Sequence, residues 1–155
     1  MRGVPAHTDS PESPHDVVVL GVTASDAHAV ANQLIAHDLR AEGYTVINLG
    51  VCTPVSEFVR AVRENTGVLA VVIGSLNGHA HEDLRDLPAA RAAGQLPCPV
   101  VLGGNLSVGS TKDPGALDRL HRLGVDHILT ELSDLLPLLR ELARRTTRPP
   151  LPRAI

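Results

Sequence analysis

Aromatic residues are almost absent from this sequence of 155 residues, which has one tyrosine, one phenylalanine and no tryptophan. A binding site here must therefore use backbone groups, small side chains and histidine, because stacking against aromatic rings is not available. Lysine is as scarce, since Lys112 is the only one. The two cysteines, Cys52 and Cys98, lie far apart with no zinc-type spacing around them, which predicts reduced and buried thiols.

Charge and hydropathy exclude two further classes of protein. The net charge is -3 and no basic cluster occurs, so nothing indicates nucleic-acid binding. No run approaches the roughly 20 continuous apolar residues of a membrane span, and the first residues lack the apolar core of a signal peptide. With 43% apolar and 20% charged residues, the composition is that of a globular protein of one domain. We expect it to be cytoplasmic, with no membrane partner.

The two ends of the chain differ in composition from the middle. Residues 1–15 are rich in Pro, Ser, His and Asp and have no periodicity, which predicts a disordered arm. Residues 146–155 contain three prolines and predict a flexible tail. The folded domain is therefore predicted over residues 16–145.

Short apolar runs alternate with helical stretches in this middle part. The runs are rich in β-branched residues and predict five strands, at 17–22, 45–51, 68–74, 99–104 and 126–130. Helices are predicted between and after them, at about 28–42, 55–65, 80–94, 114–123 and 131–145. In the first helix, the predicted buried face consists of Val30, Leu34, Ile35 and Leu39.

This alternation predicts an α/β fold with a flavodoxin-like, doubly wound sheet of five parallel strands in the order 2-1-3-4-5. Ligands bind such sheets at the carboxyl ends of the strands, where the strand order reverses, here between the first and third strands. The loops predicted to meet there are "TASDAHAVA" (23–31), "GSLNGHAHED" (74–83) and "GGNLSVG" (103–109).

The first of these loops carries one strong donor, His28. Asp26, two residues earlier, is placed to hold one ring nitrogen as N–H and to leave the other free, as carboxylates do for metal-bound histidines. The small residues and glycines of the other two loops leave space for a ligand to approach the backbone. A wide cleft with a single imidazole suits a large flat cofactor whose metal needs one more axial ligand.

Taken together, the three loops resemble the motif Asp-x-His-x-x-Gly, Ser-x-Leu and Gly-Gly of cobalamin (B12)-binding domains, which are Rossmann-like. The resemblance covers about residues 16–145 and is nearest to the small, cobalamin-binding subunits of glutamate mutase (methylaspartate mutase). Two positions depart from the motif: Ala31 stands in place of the glycine, and Gly74 in place of the serine.

The resemblance implies a set of cofactor-binding residues. His28 would be the axial ligand to cobalt, in place of the dimethylbenzimidazole base of the cofactor, and Asp26 would be its hydrogen-bonding carboxylate. The displaced nucleotide tail would lie beside the sheet. The implied cofactor-binding residues are Ser25, Asp26, Ala27, His28 and Ala29, then Gly74, Ser75 and Leu76, then Gly103, Gly104, Asn105, Leu106, Ser107, Val108 and Gly109.

The resemblance also implies a function. The chain would be part of an isomerase, as the cobalamin-binding subunit of an adenosylcobalamin-dependent mutase that interconverts L-glutamate and L-threo-3-methylaspartate by radical chemistry. A larger, barrel-type catalytic subunit would bind glutamate. No catalytic residue is predicted in this chain, which would be active only with that partner.

Two alternatives use the same cofactor motif. One is a corrinoid carrier protein for methyl transfer, which usually bears a helical domain before the first strand, whereas residues 1–15 are short and polar. The other is the cobalamin-binding subunit of a sister carbon-skeleton mutase, whose substrate would be set by the partner.

Other functions of the same fold, and one other site, are less consistent with the sequence. A flavodoxin typically stacks aromatic rings on its flavin, and a receiver domain needs an aspartate where this chain has Gly74 and Ser75. The cluster of His79, His81, Glu82 and Asp83 suggests a metal site, but histidines two apart on a helix point in different directions. A solvated helix start is the favoured interpretation.

Overall fold

The computed structural model describes residues 16–104 and 115–147. Its five strands form one parallel sheet in the order β2-β1-β3-β4-β5. The strands are β1 (Val17–Val22), β2 (Thr45–Asn48), β3 (Val68–Ser75), β4 (Val100–Gly104) and β5 (His127–Leu129). The predicted fold class and strand order are confirmed.

Helices cover both faces of the sheet. They are α1 (Ala29–Ala41), α2 (Val55–Glu64), α3 (Ala80–Asp83), α4 (Leu87–Ala92), α5 (Ala116–Leu123) and α6 (Leu135–Thr147), the last preceded by a 3₁₀ turn at Leu132–Asp134. Helices α1 and α6 pack on one face, and α2 to α5 pack on the other. None of the helices in the described ranges is both long enough and apolar enough to cross a membrane.

Two apolar layers hold the sheet between these helices. Successive strand side chains point to opposite faces, so Val18 and Leu20 of β1 pack toward α1 and α6, while Val19 packs toward α2. Full burial of a side chain of this size contributes roughly 1.5–3 kcal/mol. In sheets covered on both faces, ligands are expected at the carboxyl ends of the strands.

The predicted buried face of the first helix is only partly correct. Val30 and Leu34 are 76% and 57% exposed, although both are apolar. The residues of α1 that are buried are Asn32, Ala36 and Leu39, so the contact face lies about a third of a turn away from the predicted one. The small Ala36 side chain allows α1 to approach the sheet closely, and this contact fixes the rotation of the helix.

Residues 80–94 form two short helices rather than the single predicted one. Pro88 lies in the first turn of α4, where the missing N–H and fixed φ of proline are tolerated. A continuous helix would place the proline ring against the carbonyl of Leu84, four residues earlier, and this clash breaks the helix there.

Two smaller differences concern the end of α6 and one of the cysteines. Helix α6 continues to Thr147, two residues into the segment predicted as a flexible tail. The predicted arm at 1–15 and the remaining tail at 148–155 lie outside the described residues. Cys98 is buried as predicted, but Cys52 is exposed, because it lies in the turn that follows β2 rather than within a strand.

Candidate cofactor-binding site

The site begins where β1 and β3 end side by side. Beyond the last paired residues, Val22 and Gly74, the backbone N–H of Thr23 donates to the Gly74 carbonyl at 3.0 Å. The N–H of Asp26 then donates back to the Thr23 carbonyl at 3.0 Å, which closes a turn. This turn places Asp26, 1% exposed, under the loop that precedes α1.

The Asp26 carboxylate joins the first two loops. Its Oδ1 accepts hydrogen bonds from the His28 backbone N–H at 3.0 Å and from the His28 ring. Its Oδ2 accepts the backbone N–H groups of Leu76 and of Asn77, the latter at 3.1 Å. Burial alone would raise the pKa of this carboxyl group, but hydrogen bonds from Leu76, His28 and Asn77 outweigh it and hold the pKa below its usual value. Asp26 is therefore ionised at neutral pH.

Among the described residues, only one ring nitrogen of His28 has a hydrogen-bond partner. Its Nδ1 faces the Asp26 carboxylate, which can only accept, so Nδ1 carries the hydrogen of this bond and Nε2 points away from it. The side chain is 58% exposed, immediately before α1 begins. An imidazole fixed at Nδ1 by a carboxylate is the arrangement found in metal sites, where the carboxylate orients the ring and makes the free nitrogen more basic.

A second polar network fixes the same two loops from the solvent side. The Ser25 hydroxyl donates to Asp83 Oδ2 at 2.7 Å, and the Asn77 side-chain amide donates to Ser25 Oγ at 3.0 Å. Asn77 Oδ1 accepts the His79 backbone N–H at 3.0 Å. Asp83, from the predicted solvated cluster, thus acts as an acceptor for the first loop. Within residues 16–104 and 115–147, no group of three His, Cys, Asp or Glu side chains is placed to hold a metal ion.

The third loop starts with a glycine that no other residue can replace. Gly104 has φ +120°, and a Cβ added to it would lie 2.1 Å from the Ser75 carbonyl oxygen. Only glycine therefore allows β4 to pair with β3 up to its last residue. The predicted site residues Asn105, Leu106, Ser107, Val108 and Gly109 lie outside the described part of the chain.

A cleft of about 280 Å³ opens beside these loops, on the face of the sheet covered by α1 and α6. Strand residues such as Leu20, Val72 and Val101 form one wall, and Ile35 of α1 and Leu135 of α6 lie among the others. This volume is near the lower end of the roughly 300–1,000 Å³ typical of ligand sites. The cleft therefore suits a nucleotide-sized group rather than a whole corrinoid.

The predicted residues of the second loop divide between the two faces of the sheet. Gly74 and Leu76 line the cleft. Ser75 is fully buried and is not among the lining residues, and its hydroxyl has no partner among the described residues. A Cβ on Gly74 would meet nothing nearer than 3.9 Å, so the cleft has room beside it.

Only some of the remaining predicted positions line the cleft. His28 and Gly103 line it, and so does Ala31, where the motif has glycine. Ser25, Ala27 and Ala29 are not among the lining residues, and Ser25 belongs to the network with Asn77 and Asp83.

Sequence reasoning missed two parts of the site. Asn32, 3% exposed, lines the cleft and accepts a hydrogen bond from the Asn48 amide at 2.8 Å. The signal that was available is a polar residue on the otherwise apolar contact face of α1. The stretch from Leu129 to Leu132, which lines the cleft opposite α1, was missed because only the loops after β1, β3 and β4 were considered.

The backbone of Cys52 is hydrogen-bonded to the first loop. It has φ +51°, unusual for a residue other than glycine, and its backbone N–H donates to the Asp26 carbonyl at 3.0 Å. The turn after β2 is thus tied to the loop that carries His28.

Comparison with known proteins identifies the family. Residues 16–139 match the family described as "B12 binding domain". The glutamate mutase sigma subunit of Halobacterium salinarum is 41% identical over 113 residues, which cover 73% of this chain and 75% of that protein. The chain belongs to the glutamate mutase sigma-subunit family of B12-binding domains.

Further comparisons agree with this sigma-subunit membership. Glutamate mutase sigma subunit 1 of Haloarcula marismortui is 35% identical over 84% of this chain and 87% of its own length. A cobalamin-binding protein from Desulfitobacterium hafniense superimposes with a TM-score of 0.66 at 22% identity, over 83% of this chain and 59% of that one, which shows the shared fold. The family resemblance predicted from the three loops is confirmed.

Proposed function

We propose that this sigma-subunit relative is the cobalamin-binding subunit of an adenosylcobalamin-dependent glutamate mutase, with His28 as the axial ligand to cobalt. The observation that carries the proposal is the Asp26–His28 pair at the carboxyl edge of the sheet. Asp26 is buried and ionised, and it fixes a proton on Nδ1 of His28. Nε2, which has no partner among the described residues, is then the nitrogen that would bind cobalt.

The residues around this pair fit such a cofactor. The cleft of about 280 Å³ accepts a nucleotide-sized group beside the sheet, while the corrin ring needs more space and would lie over the strand ends. Glycines near the ends of β3 and β4 have no side chains that would project over that edge. The Asn32 side chain adds a buried amide nitrogen to the cleft wall, without a partner among the described residues.

In this proposal, the chain's own residues bind the cofactor and orient the His28 ring. The N–H groups of Leu76 and Asn77 keep Asp26 ionised, and Asp26 keeps the His28 ring in one orientation. The network of Ser25, Asn77 and Asp83 holds the first two loops together. When bound, adenosylcobalamin supplies radical chemistry through its cobalt–carbon bond.

The substrate site belongs to a partner in this proposal. A larger, barrel-type catalytic subunit would bind glutamate above the corrin, and the isomerisation to L-threo-3-methylaspartate would require both chains. One fact supports this division, because the relatives are named as sigma subunits. In the proposal, the cleft described above is occupied by the cofactor and is not a substrate site. The isolated chain is then expected to bind cobalamin and to convert no glutamate.

The test is the substitution His28→Ala. With cob(II)alamin bound, the parent should show in its EPR spectrum a superhyperfine splitting from the histidine nitrogen, and ¹⁵N-labelling of histidine should alter it. His28→Ala should lose the splitting and also lose glutamate mutase activity in the presence of a catalytic subunit. His37→Ala changes an exposed histidine on α1, the helix that follows His28; it is the matched control and should leave both unchanged.

Two results would contradict the proposal. One is an unchanged splitting in His28→Ala. The other is formation of methylaspartate by the chain alone at a rate typical of enzymes, about 1–10³ s⁻¹.

A further inference from the structure

The Asn32 side chain is a buried polar group whose hydrogen bonds are incomplete. It is 3% exposed and lines the cleft, and its Nδ2 has no partner in the part of the chain that the structure describes. Buried amide groups are nearly always hydrogen-bonded, because an unpaired one loses its contact with water and gains nothing in return. A ligand in the cleft is the natural partner for this nitrogen.

The backbone N–H of Gly50 determines which atom of the Asn32 side-chain amide has no hydrogen-bond partner. The N–H of Gly50 can only donate, and it donates to Asn48 Oδ1 at 2.9 Å. The other end of the Asn48 amide is therefore the nitrogen, which donates to Asn32 Oδ1 at 2.8 Å. This leaves Nδ2 of Asn32 as the free end, so the relay from Gly50 through Asn48 makes Asn32 a donor and not an acceptor.

The surroundings make this single donor selective. Most other lining side chains are apolar, such as Ile35, Val72 and Leu135. The other polar side chains of the lining are His28, Thr130 and Glu131, and all three are exposed. A buried donor in an apolar cleft discriminates strongly between ligands with and without a matching acceptor.

We infer that Asn32 is a positioning residue that donates a hydrogen bond to an acceptor atom of the buried nucleotide of the cofactor, and that the cleft thereby selects the base-carrying form of the corrinoid. This inference rests on the proposed function. Two kinds of acceptor share the chemistry: the nitrogen of the base, whose lone pair is free once His28 takes its place at cobalt, and the oxygens of the ribose and phosphate.

The test compares three corrinoids on the purified full chain. Cobalamin carries the whole nucleotide, p-cresolylcobamide keeps ribose and phosphate but has no base nitrogen, and cobinamide has no nucleotide. Each is titrated against the parent, Asn32→Ala and the control Gln33→Ala, an exposed neighbour on α1. Loss of one neutral hydrogen bond should weaken cobalamin binding about two- to tenfold in Asn32→Ala, with cobinamide binding unchanged.

The three ligands separate the two sources of the acceptor. A loss with cobalamin alone assigns the bond to the base nitrogen, and a loss with cobalamin and p-cresolylcobamide assigns it to ribose or phosphate. Equal losses with all three ligands, or no loss with any, overturn the inference. A parent chain that binds no corrinoid at all would instead contradict the proposed function.

A second variant tests the relay without touching the cleft. In Asn48→Asp, the new carboxylate would accept from both Gly50 and Asn32, which turns the Asn32 amide and points its carbonyl to the cleft. Cobalamin binding should fall at least as much as in Asn32→Ala, again with cobinamide unchanged. Urea unfolding of both variants checks that they fold, and unchanged cobalamin binding in a folded Asn48→Asp would overturn the fixed orientation.

Discussion

The two ends of the sheet each have a carboxylate that joins neighbouring segments, but the two carboxylates are used differently. At the amino end, Asp126 accepts the Arg91 guanidinium at 2.6 Å and the Val100 N–H at 2.8 Å, and its side chain is 37% exposed. At the carboxyl end, Asp26 is buried and accepts three backbone N–H groups and the ring of His28.

The two carboxylates differ in whether their partner side chains, Arg91 and His28, have further hydrogen-bonding groups without a partner. Arg91 also donates to the carbonyls of Leu96 and Cys98, both at 2.7 Å, so its hydrogen bonds are directed back into the protein. His28 uses one nitrogen for Asp26, and its other nitrogen has no partner within residues 16–104 and 115–147. The groove beside Arg91, at about 390 Å³, is larger than the cleft beside His28. An incomplete set of partners among the described residues, and not cavity size, thus distinguishes the end proposed to bind the cofactor from the other end.

The largest expected effect is that of Asp26→Ala. Removing the carboxylate leaves the N–H groups of His28, Leu76 and Asn77 without their acceptor, and each unpaired buried donor costs about 1–3 kcal/mol. We expect the free energy of unfolding, measured in urea, to fall by about 3 kcal/mol or more. Asp26→Asn keeps the shape and one acceptor and should lose less. A fall below about 1 kcal/mol in Asp26→Ala would contradict the role assigned to this carboxylate.

A smaller loss is expected for Asp126→Ala at the other end. Arg91 and the Val100 N–H lose an acceptor there, but the site is partly open, so water replaces much of what is lost. The free energy of unfolding should fall by about 1–2 kcal/mol, and cobalamin binding should not change. If Asp126→Ala weakened cobalamin binding as much as Asp26→Ala does, the contrast between the two ends would be wrong.

The room at the carboxyl end predicts a gain of binding in Gly74→Ser. The new side chain fits, since a Cβ there would meet nothing nearer than 3.9 Å. Its hydroxyl would add a donor beside the position proposed for the nucleotide. One neutral hydrogen bond should tighten cobalamin binding about two- to tenfold in a titration. Ser75→Ala, with its side chain buried outside the cleft lining, is the control and should have no effect on binding. The reverse pattern would place the nucleotide elsewhere.

The smallest expected effect is the change in the free energy of unfolding at acid pH. The pKa of Asp26 is lowered from 3.8 in the folded state, so its contribution to stability is complete above that pH and is lost as the pH falls through the folded-state pKa. The difference in unfolding free energy between the parent and Asp26→Asn should therefore shrink below about pH 4. A difference that stays constant down to pH 2 would show that the charge of Asp26 adds nothing to stability.

The sheet was predictable because its pattern is strong over short distances. Five β-branched runs separated by helical stretches allow few arrangements, and the loops after β1, β3 and β4 meet at one edge in the predicted order. Asp26 and His28 were predictable for a related reason, since two residues in one turn are adjacent whatever the rest of the chain does.

Features that depend on packing were not predictable in the same way. Val30 and Leu34 fit a helical period, yet the rotation of α1 is set by Ala36 and Leu39 against the sheet. Asn32 meets Asn48 across 16 residues of sequence, a contact that no local pattern indicates. The face of the sheet to which the Ser75 side chain points depends on the register of β3. A shift of the register by one residue would place that side chain on the other face.

The exposed position of Cys52 gives this protein a natural attachment point for an optical probe. Cys98, the second of the two cysteines, is buried, and burial raises the pKa of its thiol, so a maleimide dye should react with the native chain at Cys52 alone. The dye would be anchored beside the backbone of Asp26, next to the imidazole that we propose as the cobalt ligand. Because corrinoids absorb visible light strongly, their arrival should quench its fluorescence, so that cofactor loading can be followed in real time without altering a single residue.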